Sequence, residues 1–313
     1  MRKCLIIGGS GFIGRNLIES LAHENYQIKV VDKFTENIKS LKSTFSNVEI
    51  VNLDVEDTEC LISHIGDIEN IIWLIHTSVP STSMGNIESD LTSNLIPLIK
   101  FLQRLLNINT VQKFIYLSSG GTIYGETIDK KPISENHEKF PISSYGLTKL
   151  VAENYIDFIL HDSQIQRFIL RPSNIYGLYQ NLNVPQGIIG HALKAAKERK
   201  PISLYDNKMF VRDFLFVSDL VNGIYKCLDY NIGLEEMLTN TFNIGYGKGY
   251  TIQQLLDEIC KVVNYDIVIK NLPARNFDCT YNVLDINKIK NTLGWEPQVD
   301  LNSGISKVWN WIK

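Results

Sequence analysis

The sequence predicts an α/β fold: a doubly wound parallel sheet with helices on both faces, and a smaller α/β lobe interleaved with it. Three observations carry this. Short apolar runs at 3–7, 28–32, 48–53, 70–76, 113–118 and 168–170 read as strands. Between them, 15–22, 93–106 and 145–160 show helical periodicity, and this alternation builds a parallel sheet covered on both sides. After Tyr176-Gly177 the texture changes, with loops such as 178–187 richer in Asn, Pro and Gly. Residues 1–175 therefore read as one lobe and 176–313 as mostly a second. The apolar run 214–217 and the helix-like 218–228 are expected to return to the first sheet, so that about 214–237 rejoins it.

The first run breaks into Gly8, Gly11 and Gly14 before the chain restarts as a helix. Such a turn aims backbone N–H groups and the positive helix end at one spot, which suits a pyrophosphate. Gly8 permits the tight turn, Gly11 lets phosphates approach, and Gly14 lets helix and strand pack. Gly8, Gly11, Phe12, Ile13 and Gly14 are the candidate phosphate-side residues. Asp32 ends the next strand, eighteen residues after Gly14, placed to accept hydrogen bonds from a ribose. The chain thus reads as dinucleotide-binding. A carboxylate there repels a 2′-phosphate and favours NAD over NADP, although Lys33 follows at once and offers some compensation.

The composition excludes several classes. A net charge of −3 leaves no basic excess for nucleic acid, and basic clusters such as 194–200 read as solvated helix faces. The five cysteines are scattered, with no Cys-x-x-Cys pair, so neither a disulfide framework nor a zinc site is expected. The N-terminal residues already form a strand and no run reaches membrane-spanning length, so a cytoplasmic protein without a membrane partner or metal is expected.

Tyr145-Gly-Leu-Thr-Lys149 sets a phenol and an ammonium four residues apart, on one face of a helix. Two unit charges about 4 Å apart gain roughly 4 kcal/mol at an effective dielectric of about 20, which is about three pK units. The lysine is therefore expected to lower the phenol's pKa, so that Tyr145 can trade a proton with a substrate hydroxyl near neutral pH. A Tyr-x-x-x-Lys pair arises readily by chance; position gives this one its weight. The run 113–118 ends in Ser118-Ser-Gly-Gly-Thr-Ile-Tyr-Gly125, whose hydroxyls sit where the ligand crevice of such a sheet lies.

Together these segments resemble the extended short-chain dehydrogenase/reductases of the NAD-dependent epimerase/dehydratase family, over nearly the whole chain. Further matching pieces are Leu53-Asp54-Val55, Arg171-Pro-Ser-Asn-Ile-Tyr-Gly177 and Arg212-Asp-Phe-Leu-Phe-Val-Ser-Asp219. Phe242-Asn-Ile-Gly245, Arg275-Asn-Phe-Asp278 and Leu293-Gly-Trp-Glu-Pro297 follow in family order. The resemblance implies a Rossmann-type cofactor lobe, with Asp54 and Val55 near adenine. It also implies that Asn174 contacts substrate or cofactor near the nicotinamide, and that Arg212 and Arg275 clamp a substrate diphosphate. Asp278 would hold the nucleoside ribose, Tyr205 could stack on the base, and Asn282 would line the hexose site. Helices 93–106 and 145–160 resemble those that form a two-fold interface in the family, which implies a homodimer.

Departures from the family pattern narrow the chemistry. Gly120 stands where many relatives carry a catalytic hydroxyl, so Ser119 or Thr122 must partner Tyr145 and Lys149. Gly120-Gly-Thr122 also replaces the Thr-Asp-Glu of dehydratases, which argues against water elimination. The expected activity is C4 epimerisation of a UDP-hexose or UDP-N-acetylhexosamine through a transient 4-keto sugar. The alternative is NAD(P)H-dependent reduction of a nucleotide-activated 4-keto-6-deoxy sugar; a third, non-enzymatic reading as a redox sensor has no use for the Tyr–Lys pair.

Overall fold

The computed structural model describes residues 1–183, 187–205, 208–231, 239–273 and 279–313. The chain divides into two compact units. One comprises Met1–Ile123, Pro141–Arg171 and Ile224–Phe242; the other comprises Tyr124–Phe140, Pro172–Gly223 and Asn243–Lys313.

The first unit is built on a seven-stranded parallel sheet. Across it the strands run Thr239–Ile244, Gln166–Pro172, Lys113–Leu117, Asn70–Trp73, Arg2–Ile7, Tyr26–Asp32 and Val48–Asn52. The order reverses beside Arg2–Ile7, as in doubly wound sheets whose ligands lie at the carboxyl ends of the strands. The central strands are apolar almost without interruption, because helices cover both faces. Leu5, Ile7, Trp73, Phe101 and Phe114 are among the residues of one buried cluster. Lys113 is buried as well. Lys113 Nζ donates to the carbonyls of Leu228 (2.5 Å) and Tyr230 (2.7 Å), capping the end of the helix Val217–Asp229 with a cation.

The second unit holds a four-stranded sheet centred on Val211–Phe216, which pairs with Gly249–Thr251, Tyr281–Asn282 and Asn174–Tyr176. A two-stranded sheet joins Ile202–Tyr205 to Ile269–Leu272. This corrects one expectation. Residues 214–216 lie in the four-stranded sheet and Val217 opens the helix that follows, while Ile224–Phe242 falls in the first unit and Thr239–Ile244 takes the seventh place in the larger sheet. An apolar run signals a buried strand but not which sheet buries it. Among the described residues, no helix is long and apolar enough to cross a membrane.

Candidate active site

The glycine turn meets the demands of a phosphate cradle. Gly8 has φ +91°, and a Cβ there would fall 2.7 Å from Ile75 Cγ1. Its N–H donates to Val31 O at 2.9 Å, tying the turn to the neighbouring strand. A Cβ on Gly14 would lie 2.6 Å from Gly9 Cα, so the helix can start against the turn only without one. At Gly11 a Cβ would find Gly8 O as its nearest neighbour, at 3.6 Å, which leaves the approach open. Gly11 caps the helix Phe12–Ala22 with no side-chain bond, so the first N–H groups, those of Phe12 and Ile13, face outward without intrahelical acceptors. These residues fit a bound pyrophosphate, and hence a dinucleotide.

Asp32 organises the adjoining corner. Its Oδ2 accepts from Ser10 N and its Oδ1 from Phe34 N, both at 3.0 Å, and each oxygen keeps a lone pair for a ribose hydroxyl. Lys33 turns to Asp54, Nζ to Oδ2 2.6 Å, and Asp54 is held below the usual carboxylate range by that ion pair. Val55, beside it, is buried.

The second cluster sits at the carboxyl end of Lys113–Leu117, on the same edge of the sheet as Gly8 and Asp32. Ser143 caps the helix Ser144–Ile159 by accepting from Gly146 N at 3.2 Å. A Cβ on Gly146 would lie 2.6 Å from Thr122 O, so this glycine lets the helix approach the loop that carries Ser119 and Thr122. The Ser119 hydroxyl hydrogen-bonds the Tyr145 phenol, whereas Thr122 Oγ1 is buried with no hydrogen-bond partner among the described residues. Lys149 Nζ donates to Leu117 O at 2.7 Å and stands 5.9 Å from the Tyr145 ring centroid.

The electrostatics differ from the sequence expectation. Burial pushes Tyr145 up to about 12, with the Ser119 hydrogen bond opposing it. Burial also drives Lys149 down to about 7, against the pull of Glu153 and Asp90. The spacing argument counts attraction between the two groups but not the cost of desolvating each. An ammonium that sheds its proton near 7 supplies no positive charge where the phenol titrates.

Sequence reasoning missed the group behind this pair. Asp90, on the helix Ile87–Leu105, is 2% exposed and accepts from Ser144 Oγ (2.6 Å) and Thr148 Oγ1 (3.0 Å). His76 lies 3.5 Å from the same carboxylate, and Ser83 Oγ accepts from Tyr145 N at 3.1 Å. Glu153, one turn beyond Lys149, pairs with Arg171 Nη2 at 2.6 Å and accepts from Ser118. The only sequence signal was Ser144 and Thr148 standing one place before Tyr145 and Lys149.

The second unit holds the other candidates. Asn174 Nδ2 donates to Asp213 O at 3.0 Å. Arg212 is in register with Asn282 on one side and Tyr250 on the other, and its guanidinium lies 5.7 Å from the Phe210 ring centroid. Between Arg212 and Phe214, the fully buried Asp213 accepts from the backbone N–H of Tyr246, Gly247 and Leu284. Its burial raises its pKa to about 6 against those hydrogen bonds. Tyr205 ends its strand half-buried, and Asn282 is buried. Arg275 and Asp278 lie outside the described residues.

A family model for GDP-mannose 4,6-dehydratase matches residues 5–308. The chain belongs to this epimerase/dehydratase family. Among the family's proteins it is 31% identical to a putative UDP-glucose 4-epimerase of Methanocaldococcus jannaschii, over 99% of this chain and 98% of that one. It is also 31% identical to a dTDP-4-dehydro-6-deoxyglucose reductase of Escherichia coli, over 97% and 95% of the two chains. The structure superposes on a Thermotoga maritima UDP-glucose 4-epimerase solved with UDP-glucose, with a TM-score of 0.90 and 27% identity over 99% and 98% of the chains. A Bacillus cereus UDP-glucuronic acid 4-epimerase in complex with UDP-glucuronic acid and NAD gives a TM-score of 0.90 at 25% identity, with the same coverage.

Proposed function

We propose that the chain is a cytoplasmic, NAD-dependent nucleotide-sugar 4-epimerase that acts on a UDP-hexose or UDP-N-acetylhexosamine. The observation that carries this reading is the Ser119–Tyr145 hydrogen bond beside Lys149, on the sheet edge that also bears the glycine turn. The epimerase relatives and neighbours support it.

Gly8–Gly14 and Asp32 would hold the cofactor, with Asp54 and Val55 beside the adenine. NAD bound there would supply the hydride acceptor and donor for the sugar carbon. As the phenolate, Tyr145 would take the 4-hydroxyl proton as the 4-keto sugar forms, and would return it to the 4-oxygen after the sugar has turned its other face to the cofactor. Ser119 donates to the sugar oxygen during the exchange. Lys149, held by Leu117 O one turn from Tyr145, is charged below about pH 7 in the ligand-free chain. Asn174, Tyr205, Arg212, Arg275, Asp278 and Asn282 are the proposed substrate contacts, with the two arginines on the diphosphate. The unit containing the seven-stranded sheet is thus the cofactor unit, and the other takes the nucleotide sugar.

A homodimer belongs to the same reading. Helices Ile87–Leu105 and Ser144–Ile159 pack together and expose Leu91, Leu147 and Phe158, apolar side chains suited to a second copy. The Escherichia coli relative supports one competing activity, reduction of a nucleotide-activated 4-keto-6-deoxy sugar. A screen of UDP-, dTDP-, CDP- and GDP-sugars with product stereochemistry separates the two. Redox-neutral interconversion at C4 with retained NAD is the expected result, and stoichiometric consumption of NADH or NADPH with a keto sugar would select the reductase.

A further inference from the structure

We infer that Asp90 is a positioning residue: through Ser144 and Thr148 it fixes the helix that carries Tyr145 and Lys149. The inference rests on the reading above, in which those two residues do the chemistry.

The geometry is specific. Both helix contacts end on one oxygen, Asp90 Oδ2, from Ser144 Oγ at 2.6 Å and Thr148 Oγ1 at 3.0 Å. Ser144 and Thr148 each stand one residue before a member of the Tyr–Lys pair, so the two bonds clamp successive turns at the positions that aim the phenol and the ammonium. The other oxygen, Oδ1, accepts from Ser78 Oγ and from Asn94 Nδ2 (3.1 Å), and His76 Nε2 lies 3.5 Å away. Asn94 Nδ2 also bonds Asp90 O, and its Oδ1 accepts from Thr77 N at 2.7 Å, so the carboxylate is itself held in place. The acceptor capacity of a carboxylate is used on every side, which keeps the group ionised although it is 2% exposed. His76, Tyr116, Tyr145 and Lys149 feel this charge directly, and Glu153 adds a second carboxylate beyond Lys149.

Two effects of Asp90 can be separated. Because both helix bonds use one oxygen, Asp90→Asn can keep them through its amide oxygen while removing the charge, at the loss of the bond that Oδ1 accepts from Asn94 Nδ2. Replacing Ser144 by Ala and Thr148 by Val removes the bonds and keeps the charge. The double variant Ser144→Ala/Thr148→Val should lose about tenfold or more in kcat with KM for the sugar nucleotide within about twofold, because misplacement costs the reacting geometry rather than binding. The conservative Thr148→Ser should restore most of the loss. Asp90→Asn should lower the phenol's pKa by about one unit, read as the tyrosinate absorbance difference between each protein and the same protein carrying Tyr145→Phe.

A kcat within twofold in the double variant, or a parallel loss of kcat and thermal stability that Thr148→Ser does not repair, would overturn the inference. So would an unmoved phenol titration in Asp90→Asn; this measurement needs no turnover and stands if the double variant does not fold. Absence of any sugar-nucleotide interconversion by the wild-type chain would instead defeat the epimerase reading, and the titration would still decide the placement of Asp90.

Discussion

His76 stands edge-on to Tyr145, the ring centroids 4.5 Å apart and the planes at 76°. Burial and the nearby Lys149 push the imidazole down to about 4, so at neutral pH it offers the phenol an uncharged edge. The unfolded chain binds a proton at this histidine near 6.5, which the folded chain refuses until about 4. Its contribution to stability is therefore complete above about 6.5 and is lost as the pH falls towards 4. His76→Phe keeps the ring edge and removes the titration. Thermal melts of this variant should fall less steeply than wild type across that interval, and an equal slope would show that His76 is not the group responsible.

Tyr145→Phe retains the ring that meets His76 and removes only the hydroxyl bonded to Ser119. The variant should fold and bind NAD, yet turn over about 10² times more slowly or worse, the scale of a lost general acid/base. A loss of less than tenfold would remove Tyr145 from this role. Ser119→Ala should lose turnover while Thr122→Val stays near wild type, since only Ser119 reaches the phenol.

Lys149 carries a cost that should be visible in stability. With its folded pKa near 7 against an ordinary 10.5, the unfolded chain binds the extra proton between those values. Its penalty is complete below about 7 and fades as the pH rises towards 10.5. Lys149→Met should thus melt higher than wild type at pH 6, with the gap narrowing by pH 9, while turnover collapses. A gap that widens with pH would contradict the assignment.

Much of this fold could be read from the chain because its central strands are continuous apolar runs ending in glycine, aspartate or serine. Arg2–Ile7 leads into Gly8, Tyr26–Asp32 ends on its own carboxylate, and Lys113–Leu117 precedes Ser118 and Ser119. Thr239–Ile244 escaped notice because it is largely polar, as suits a strand at the rim of the sheet. The Asp90 cluster was illegible for another reason. Its bonds to Ser144 and Thr148 span 54 and 58 residues, and no local periodicity encodes such a contact. The sign of the Tyr145 shift failed likewise, since spacing reports a neighbour but not the water that folding removes.

Cofactor choice turns on Asp32 and the Lys33–Asp54 pair. Lys33 is engaged by Asp54 at 2.6 Å, which removes the compensation it could offer a 2′-phosphate. Asp32→Ala should narrow the ratio of NADP to NAD dissociation constants, measured by fluorescence with the purified protein. Adding Asp54→Ala, which frees the ammonium, should narrow it further. An unaltered ratio in both variants would show that the ribose is read elsewhere.

Substrate size is the sharpest question that the second unit poses. Asn282 is 2% exposed and in register with Arg212, so it does not face solvent, while the adjacent Tyr281 is half-buried. A side chain beside the arginine proposed to hold the diphosphate is well placed to set how large a sugar can follow it. Asparagine is small and can hydrogen-bond an amide, so N-acetylhexosamines should be accepted alongside hexoses. Asn282→Tyr adds a ring at a buried position, where overpacking costs about 1–3 kcal/mol, so raw activity alone would mislead. The ratio of kcat/KM for UDP-N-acetylglucosamine to that for UDP-glucose cancels any shared loss of folded protein. It should fall by at least about tenfold in the variant, the scale of steric rejection in a close-fitting site. An unchanged ratio, whatever the loss in each activity, would show that Asn282 does not gate the sugar.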